Sequence, residues 1–141
     1  MSKPAPKQVM PIIAVESVDA LRTFYVEKLG FDHVMGVIGK DGQLDFCTVT
    51  RGGARLMFMR AEAALPARPR SGKQPVEVYL EVEDVEAYHA QVEKRGVPIS
   101  DPLTEQWWGD RTFKVLDPGG YEVWFYQCVA EPKPPKGAKI V

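Results

Sequence analysis

VESVDA at residues 15–20 reappears as VEDVEA at residues 82–87, at a shift of 67 positions. A second match follows in the same order, because EKLG at residues 27–30 recurs as EKRG at residues 93–96, at a shift of 66. Two ordered matches at nearly one offset indicate a duplicated unit. The change in shift indicates that the second copy is one residue shorter between the two matches.

The first copy reads outward from its match as a strand followed by a helix. Pro11, Ile13 and Val15 alternate with other residues, as in a strand with one face against a helix. Ser17 is predicted to cap the helix, and Gly30 is predicted to follow its end. Turn dipeptides at 41–42 and 52–53 then separate three strand-like runs. These runs lie around 32–38, 44–51 and 54–60.

The second copy has the same order of patterns. Val78, Leu80 and Val82 alternate, Asp84 is the predicted cap, and Gly96 follows the helix. Strands are predicted near 98–102, 111–116 and 121–127. The sequence therefore predicts an α+β fold of two tandem βαβββ modules, each with a curved mixed sheet.

The predicted boundaries follow from composition. Residues 61–75 are rich in Pro, Arg, Gly and Ala, and the last eleven residues contain three prolines. The predicted segments are a flexible N-terminus at 1–8, a first module at 9–62, a linker at 63–75, a second module at 76–128 and a flexible tail at 129–141.

Composition excludes several classes of protein. The formal net charge of -1 over 141 residues argues against a nucleic-acid or anionic-membrane binder. The apolar stretches are strand-sized, far short of the roughly 20 residues of a membrane span. Cys47 and Cys128 have neither metal-type spacing nor a disulfide framework, and the N-terminus shows no signal-peptide pattern. A cytoplasmic protein is expected.

WGDRTFKVLDPGG at residues 108–120 resembles the signature of the last hairpin in the vicinal-oxygen-chelate superfamily. That superfamily includes glyoxalase I, extradiol dioxygenases and bleomycin-resistance proteins. MPIIAV at residues 10–15, with FY at 24–25 and LGF at 29–31, is similar to its opening. The resemblance runs from about residue 9 to 127. EQWWG at residues 105–109 is especially similar to the bleomycin-resistance branch, where a tryptophan in this loop stacks on the drug.

In the enzymes of this superfamily, the resemblance implies a divalent metal held by His, Gln or Glu on the first and last strands of each module. The matching positions here hold Met10, Glu77 and Trp124, and the strand near 54–60 offers Met57 and Met59. One carboxylate stands where three or four oxygen or nitrogen ligands are needed. The sequence predicts no catalytic metal and no cofactor.

The expected function is a metal-free binding protein of the bleomycin-resistance type. It would sequester an aromatic drug or small metabolite in a groove at the interface of a homodimer, with no nucleic-acid or membrane partner. The predicted ligand contacts are Trp108, Trp107, Trp124, Tyr79, Glu77, Phe46, Met57, Met59 and Arg111.

Simpler roles are open for these residues. The methionines and Trp124 also fit an ordinary core, and Arg111 also fits an ion pair with Asp110 or Glu122. The carboxylates of Glu77, Glu81, Glu105 and Asp45 favour either a negative groove or a solvated surface.

Three other functions are open too. The first is a metal-dependent glyoxalase-like lyase, isomerase or dioxygenase. The second is a metal-free enzyme with Glu77 or Tyr79 as general base, and the third is a structural or regulatory dimer.

Overall fold

The structure, a computed structural model, describes residues 4–61 and 76–140. The chain divides into two compact units, residues 1–68 and 69–141. Each unit contains a four-stranded sheet built from the element order βαβββ. The predicted α+β fold with two modules is therefore confirmed. The predicted linker at 63–75 lies outside the described residues.

The first unit consists of β1 (Ile12–Val15), α1 (Val18–Thr23), β2 (Asp32–Ile38), β3 (Leu44–Arg51) and β4 (Ala54–Arg60). Its sheet has the strand order β1-β4-β3-β2, in which β1 runs parallel to β4 and the other pairs are antiparallel. The three strands predicted after the helix are confirmed. The first strand begins at Ile12, so Met10 precedes the sheet.

The second unit consists of β5 (Val78–Glu81), α2 (Val85–Lys94), β6 (Asp101–Glu105), β7 (Asp110–Leu116) and β8 (Glu122–Cys128), in the equivalent order β5-β8-β7-β6. The strand predicted near 98–102 was placed too early, because β6 begins at Asp101. Pro98 and Pro102 lack the N–H that a regular ladder needs. The pairing of β6 with β7 is accordingly irregular, with a register shift between Asp101 and Thr104.

Both helices begin at the predicted caps. The Ser17 hydroxyl accepts a hydrogen bond from the Ala20 N–H (3.1 Å), and the Asp84 carboxylate accepts one from the Ala87 N–H (3.0 Å). Gly30 (φ 79°) and Gly96 (φ 81°) follow the helices in the left-handed conformation that glycine adopts without strain.

The one-residue difference between the repeats has a structural counterpart in the first helix. After α1 the chain forms a π-helical turn over Phe24–Lys28, in which the Leu29 N–H bonds the Phe24 carbonyl five residues earlier (3.1 Å). The second helix has no such turn over Val85–Lys94. A π turn takes in one more residue than an α turn, so it accommodates the extra residue of the first copy.

Each helix covers one face of its own sheet. In the first unit Tyr25 lies 5.0 Å, ring to ring, from Phe58, and both side chains are buried. In the second unit Tyr88 stacks on Phe125 at 4.6 Å, and Phe125 stacks on Phe113 at 4.9 Å. Because strand side chains alternate, the remaining side chains point to the opposite face. We call this the open face of each sheet. No helix within residues 4–61 and 76–140 is long and apolar enough to cross a membrane.

Candidate functional site

The open face of the second sheet carries a cluster of aromatic rings. Tyr79 of β5 and Trp124 and Tyr126 of β8 reach it by strand alternation, since Val78, Val123 and Phe125 are buried on the helix side. Trp108 joins them from the loop that precedes β7. We call Tyr79, Trp108, Trp124 and Tyr126 the aromatic cluster.

Ring contacts connect the whole aromatic cluster. Tyr79 and Tyr126 are stacked, with centroids 4.2 Å apart and planes 20° from parallel. Trp124 is tilted against Tyr79 at 5.5 Å and against Trp108 at 6.3 Å. These separations lie within the range at which aromatic pairs attract each other. Tyr79 nevertheless remains 42% exposed, so the cluster offers ring surface to a ligand.

Hydrogen bonds fix three of these rings. The Trp108 indole N–H donates to the Tyr79 hydroxyl (2.9 Å), and that hydroxyl donates to the Asp110 carboxylate (2.6 Å). The Trp124 indole N–H donates to the Glu77 carboxylate (2.8 Å). The polar group of each of these three rings therefore has a hydrogen-bond partner, and the exposed parts of the ring faces remain for contact with a ligand.

The two tyrosines resist ionisation. Burial, followed by the hydrogen bond to Asp110, raises the pKa of Tyr79 to about 12. Burial also raises the pKa of Tyr126, and the charge of the Glu81 carboxylate acts in the same direction. Both phenols are therefore neutral at physiological pH.

A buried lysine occupies part of the same face. The Lys114 ammonium lies 3.9 Å from the centroid of the Trp124 ring, within the distance of a cation–π contact. It also lies 3.1 Å from Asp101 and 3.7 Å from Glu122. Two carboxylates and one ring therefore balance this cation, and one face of Trp124 is already in contact with a charge of the protein itself.

Trp107 lies beside the cluster rather than within it. Its ring is edge-on to Trp108 at 5.6 Å and is 44% exposed. The segment that follows β8 runs along this loop, because the Ala130 N–H bonds the Gly109 carbonyl (3.1 Å) and the Lys133 N–H bonds the Trp107 carbonyl (2.6 Å). The Ala130 carbonyl lies where a side chain at Gly109 would begin, so that position requires glycine.

Arg111 points to the helix side of the second sheet. Its guanidinium donates to Glu86 on α2 and to Glu105 on β6, both at 2.6 Å. The ion-pair interpretation is therefore correct in kind, but the predicted partners Asp110 and Glu122 are wrong. Alternation explains the error, since Asp110 and Glu122 belong to the open face while Arg111 shares its face with Phe113.

Two carboxylates predicted to give the groove a negative field also lie elsewhere. Asp45 pairs with Arg60 (2.9 Å), and Glu105 pairs with Arg111. The predicted Glu77 and Glu81 do belong to the open face of the second sheet, which also carries Asp110, Asp101 and Glu122. The strand alternation of β7 contained part of this signal, because Thr112 and Lys114 alternate with the apolar Phe113 and Val115.

The predicted contacts of the first unit share the open face of the first sheet. Phe46 of β3 pairs with Met59 of β4, and Met57 pairs with Thr48. Met59 is 41% exposed, Ile12 58% and Val37 47%, so this surface presents exposed aliphatic side chains in the part of the chain that the structure describes.

The donor atoms do not fit a divalent metal. Of the positions matched to the superfamily ligands, Met10, Met59 and Trp124 offer a thioether or an indole N–H, and Glu77 offers the only carboxylate. The Glu77 carboxylate already accepts the Trp124 indole N–H. Across residues 4–61 and 76–140, no three His, Cys, Asp or Glu side chains are grouped to hold a metal ion.

Two tandem βαβββ modules are the architecture expected for the superfamily indicated by the sequence. The family model of the glyoxalase/bleomycin resistance protein/dioxygenase superfamily matches residues 7–125. The chain belongs to this superfamily.

Particular proteins resemble this chain in sequence, and two of them also in fold. The bleomycin-binding protein of bleomycin-producing Streptomyces verticillus, solved with copper(II)-bleomycin, is 26% identical with a TM-score of 0.65, covering 96% of this chain and 100% of that one. TnmS3, an antibiotic binding protein from Streptomyces sp. CB03234, is 25% identical with a TM-score of 0.64, covering 93% and 100%. An uncharacterized Mycobacterium bovis protein is 29% identical over 126 residues, covering 86% of this chain and 83% of the relative.

Proposed function

We propose that this protein binds and sequesters a planar aromatic drug or metabolite, without a metal and without transforming it chemically. The observation that carries the proposal is the aromatic cluster, in which Trp108 and Trp124 are held by hydrogen bonds at an open face. Sequestration protects by mass action, so the protein acts in at least stoichiometric amounts with its ligand.

The chemistry of the cluster supports a flat ligand. Aromatic pairs contribute roughly 0.5–1.5 kcal/mol beyond the burial of their area, and the fixed rings lose little freedom when a ligand stacks on them. We assign the main stacking contact to Trp108 and a lesser one to Trp107. Tyr79 and Trp124 complete the aromatic side of the site, and Glu77 supplies a carboxylate at its edge.

The relatives support binding rather than catalysis. The Streptomyces verticillus protein binds bleomycin, and TnmS3 is an antibiotic binding protein. The neutral tyrosines also disfavour a Tyr79 general base, because its pKa of about 12 leaves it protonated at neutral pH.

We further propose that the protein is a cytoplasmic homodimer with one groove per subunit. The aliphatic open face of the first sheet supports this, since a large exposed apolar surface is typical of an interaction site. Phe46, Met57 and Met59 on that face are proposed as the apolar wall of the groove. Light scattering after size exclusion is expected to give about twice the chain mass of 15.8 kDa. A monomer at micromolar concentration would contradict the dimer.

The binding proposal is tested by tryptophan-fluorescence titration with bleomycin, copper(II)-bleomycin and a panel of planar antibiotics, each with and without added divalent metal. Saturable quenching at one ligand per chain without metal is the expected result. Binding or turnover that appears only after nickel, zinc, manganese or iron is added would favour the enzyme alternative.

Two variants of the same loop then locate the site. Trp108→Ala is expected to weaken binding by about 1 kcal/mol or more, roughly fivefold, because the stacking contact is lost. Trp107→Ala is the matched comparison, since it also removes one tryptophan from the same loop, and a smaller loss is expected. An unchanged affinity in Trp108→Ala would remove Trp108 from the site.

A further inference from the structure

Trp108, Tyr79 and Asp110 of the second unit are connected by two consecutive hydrogen bonds. Trp108 comes from the loop before β7, Tyr79 from the middle of β5, and Asp110 from the first position of β7. The indole N–H lies 2.9 Å from the tyrosine oxygen, which lies 2.6 Å from the carboxylate. Tyr79 lies 29 residues before Trp108 and 31 residues before Asp110 in the sequence, so only the fold brings Tyr79 next to them.

The chemistry of the three groups decides which of them donates and which accepts in these two hydrogen bonds. An indole nitrogen only donates and an ionised carboxylate only accepts. The Tyr79 oxygen therefore accepts from Trp108 and gives its single hydrogen to Asp110. A phenylalanine at position 79 would keep the ring but remove both hydrogen bonds.

Tyr79 is a firm anchor for this bond, whereas the aromatic contacts of Trp108 are looser than those of Tyr79. The Tyr79 ring is stacked between strands on Tyr126 (4.2 Å, 20°) and also contacts Trp124. Trp108 contacts its two neighbouring tryptophans only edge-on at 5.6 Å or tilted at 6.3 Å. Such contacts permit several ring orientations, because the second side-chain torsion of tryptophan is broad. The hydrogen bond to Tyr79 selects one of them.

We propose that the Tyr79 hydroxyl and the Asp110 carboxylate are positioning groups that fix the plane of the Trp108 indole and so present one of its faces to the ligand. The part of this proposal that concerns ligand rests on the function proposed above. The raised pKa of Tyr79, about 12, keeps its hydroxyl protonated and able to donate its hydrogen bond at physiological pH values. Prior ordering of a contact side chain lowers the entropic cost of binding.

The positioning is tested first without any ligand. The protein has three tryptophans, and their indole N–H signals in a nitrogen–proton NMR spectrum are assigned with single Trp→Phe variants. Tyr79→Phe is expected to shift the Trp108 signal upfield and to speed its exchange with solvent. The Trp124 signal is the internal control, because its N–H bonds Glu77 instead. An unchanged Trp108 signal in Tyr79→Phe would overturn the proposal.

Asp110 supplies a second and independent test. Asp110→Asn keeps an oxygen that accepts the tyrosine O–H, so the Trp108 signal is expected to stay near its wild-type position. Asp110→Ala removes the acceptor and is expected to move the Trp108 signal towards that of Tyr79→Phe. Equal spectra for the two Asp110 variants would contradict a role for the carboxylate. This pair also decides the question if Tyr79→Phe does not fold.

Ligand binding is measured afterwards in a double-mutant cycle with whichever compound of the panel gives saturable quenching. Tyr79→Phe is expected to weaken binding by about three- to tenfold in the wild-type background, the cost of ordering roughly one side chain on binding. It is expected to have almost no effect in the Trp108→Ala background. An equal loss in both backgrounds would show that the Tyr79 hydroxyl contacts the ligand directly, and would overturn its positioning role in binding.

The NMR experiment and the binding experiment distinguish failure of this proposal from failure of the proposed function. If the NMR shifts appear as expected while no compound binds, the positioning of Trp108 stands and the proposed binding function fails. If a compound binds while Tyr79→Phe leaves the Trp108 signal unchanged, the binding function stands and the positioning proposal fails.

Discussion

The two sheets have the same strand order, yet their open faces differ in every chemical respect. Ile12, Val37 and Met59 give the first face an aliphatic surface. The second face carries the aromatic cluster, its hydrogen bonds to Glu77 and Asp110, and the buried Lys114. On the helix sides the sheets agree, since each buries a phenylalanine at the centre of its last strand against a tyrosine of its helix.

This difference separates what the fold needs from what the site needs. A helix packs on a sheet only if apolar volume fills the space between them, so the helix sides of both modules are similar. The open side is free of that requirement. A repeated backbone thus carries one face suited to association and another suited to recognition of a flat ligand.

The largest expected effects test whether the helix sides are equivalent. Phe58→Ala and Phe125→Ala each remove a fully buried ring, and each is expected to lower the free energy of unfolding by about 3–5 kcal/mol through lost burial and a cavity. Urea denaturation followed by circular dichroism measures both. Ile12→Ala, at a position 58% exposed, is the control and is expected to change stability by less than about 1 kcal/mol. A small effect for only one phenylalanine would show that the modules are not equivalent in their cores.

Most of the fold was predictable because it depends on local rules. The caps at Ser17 and Asp84, the glycines after both helices and the strands after the first helix follow from residue preference and alternation. The start of β6 was not predictable to the residue, because the pairing of an edge strand that contains Pro102 depends on its neighbour β7. The π turn was visible only as a one-residue mismatch between the repeats.

The sequence allowed prediction of which side chains lie on the open face, but not of their hydrogen-bond and ion-pair partners. Alternation placed Trp124 and Tyr79 on the open face, and the loop motif indicated Trp108. The partners of these groups are side chains from distant positions, such as Asp110 for Tyr79 and Glu86 for Arg111. Spacing along one strand does not indicate which side chain of another element lies within 3 Å.

A smaller effect on the free energy of unfolding is expected when the pH is raised, because Tyr79 lies on the second open face and ionises at high pH. The first unit contains only Tyr25, which is buried on the helix side, whereas Tyr79 lies on the second open face. The folded pKa of Tyr79 is about 12 against an ordinary 10, so folding favours the neutral phenol. The resulting stability is complete below pH 10 and is lost as the pH rises from 10 to about 12.

Urea denaturation at pH 8, 10 and 11 measures this loss. The wild-type protein is expected to lose more stability across this range than Tyr79→Phe, which lacks the phenol at position 79 and keeps the other four tyrosines. The size of the difference is below that of the core substitutions, because Tyr79 is partly exposed to solvent. Equal pH dependence in the two proteins would show that Tyr79 is not held in its neutral form by the fold.

The smallest effect concerns the segment after β8, which forms backbone hydrogen bonds to the loop of Trp107 and Trp108. Lys133→Pro removes the N–H that bonds the Trp107 carbonyl (2.6 Å). A typical hydrogen bond contributes about 1 kcal/mol, so global stability is expected to change little. The local effect is expected to be faster solvent exchange of the Trp107 and Trp108 indole N–H groups, measured by NMR.

Lys136→Pro is the matched control, because it removes the same charge from the same segment. Position 136 is the first middle residue of a turn closed by the Ala138 N–H and the Pro135 carbonyl (3.0 Å), and Gly137 follows it with φ 90°. Proline suits that position of such a turn, so the indole exchange rates are expected to stay at their wild-type values. If both proline variants speed exchange equally, the effect comes from the segment as a whole, and the Lys133 hydrogen bond does not support the loop. If only Lys133→Pro does so, the loop of Trp108 is ordered through its backbone by this segment, while the Trp108 side chain is ordered by Tyr79.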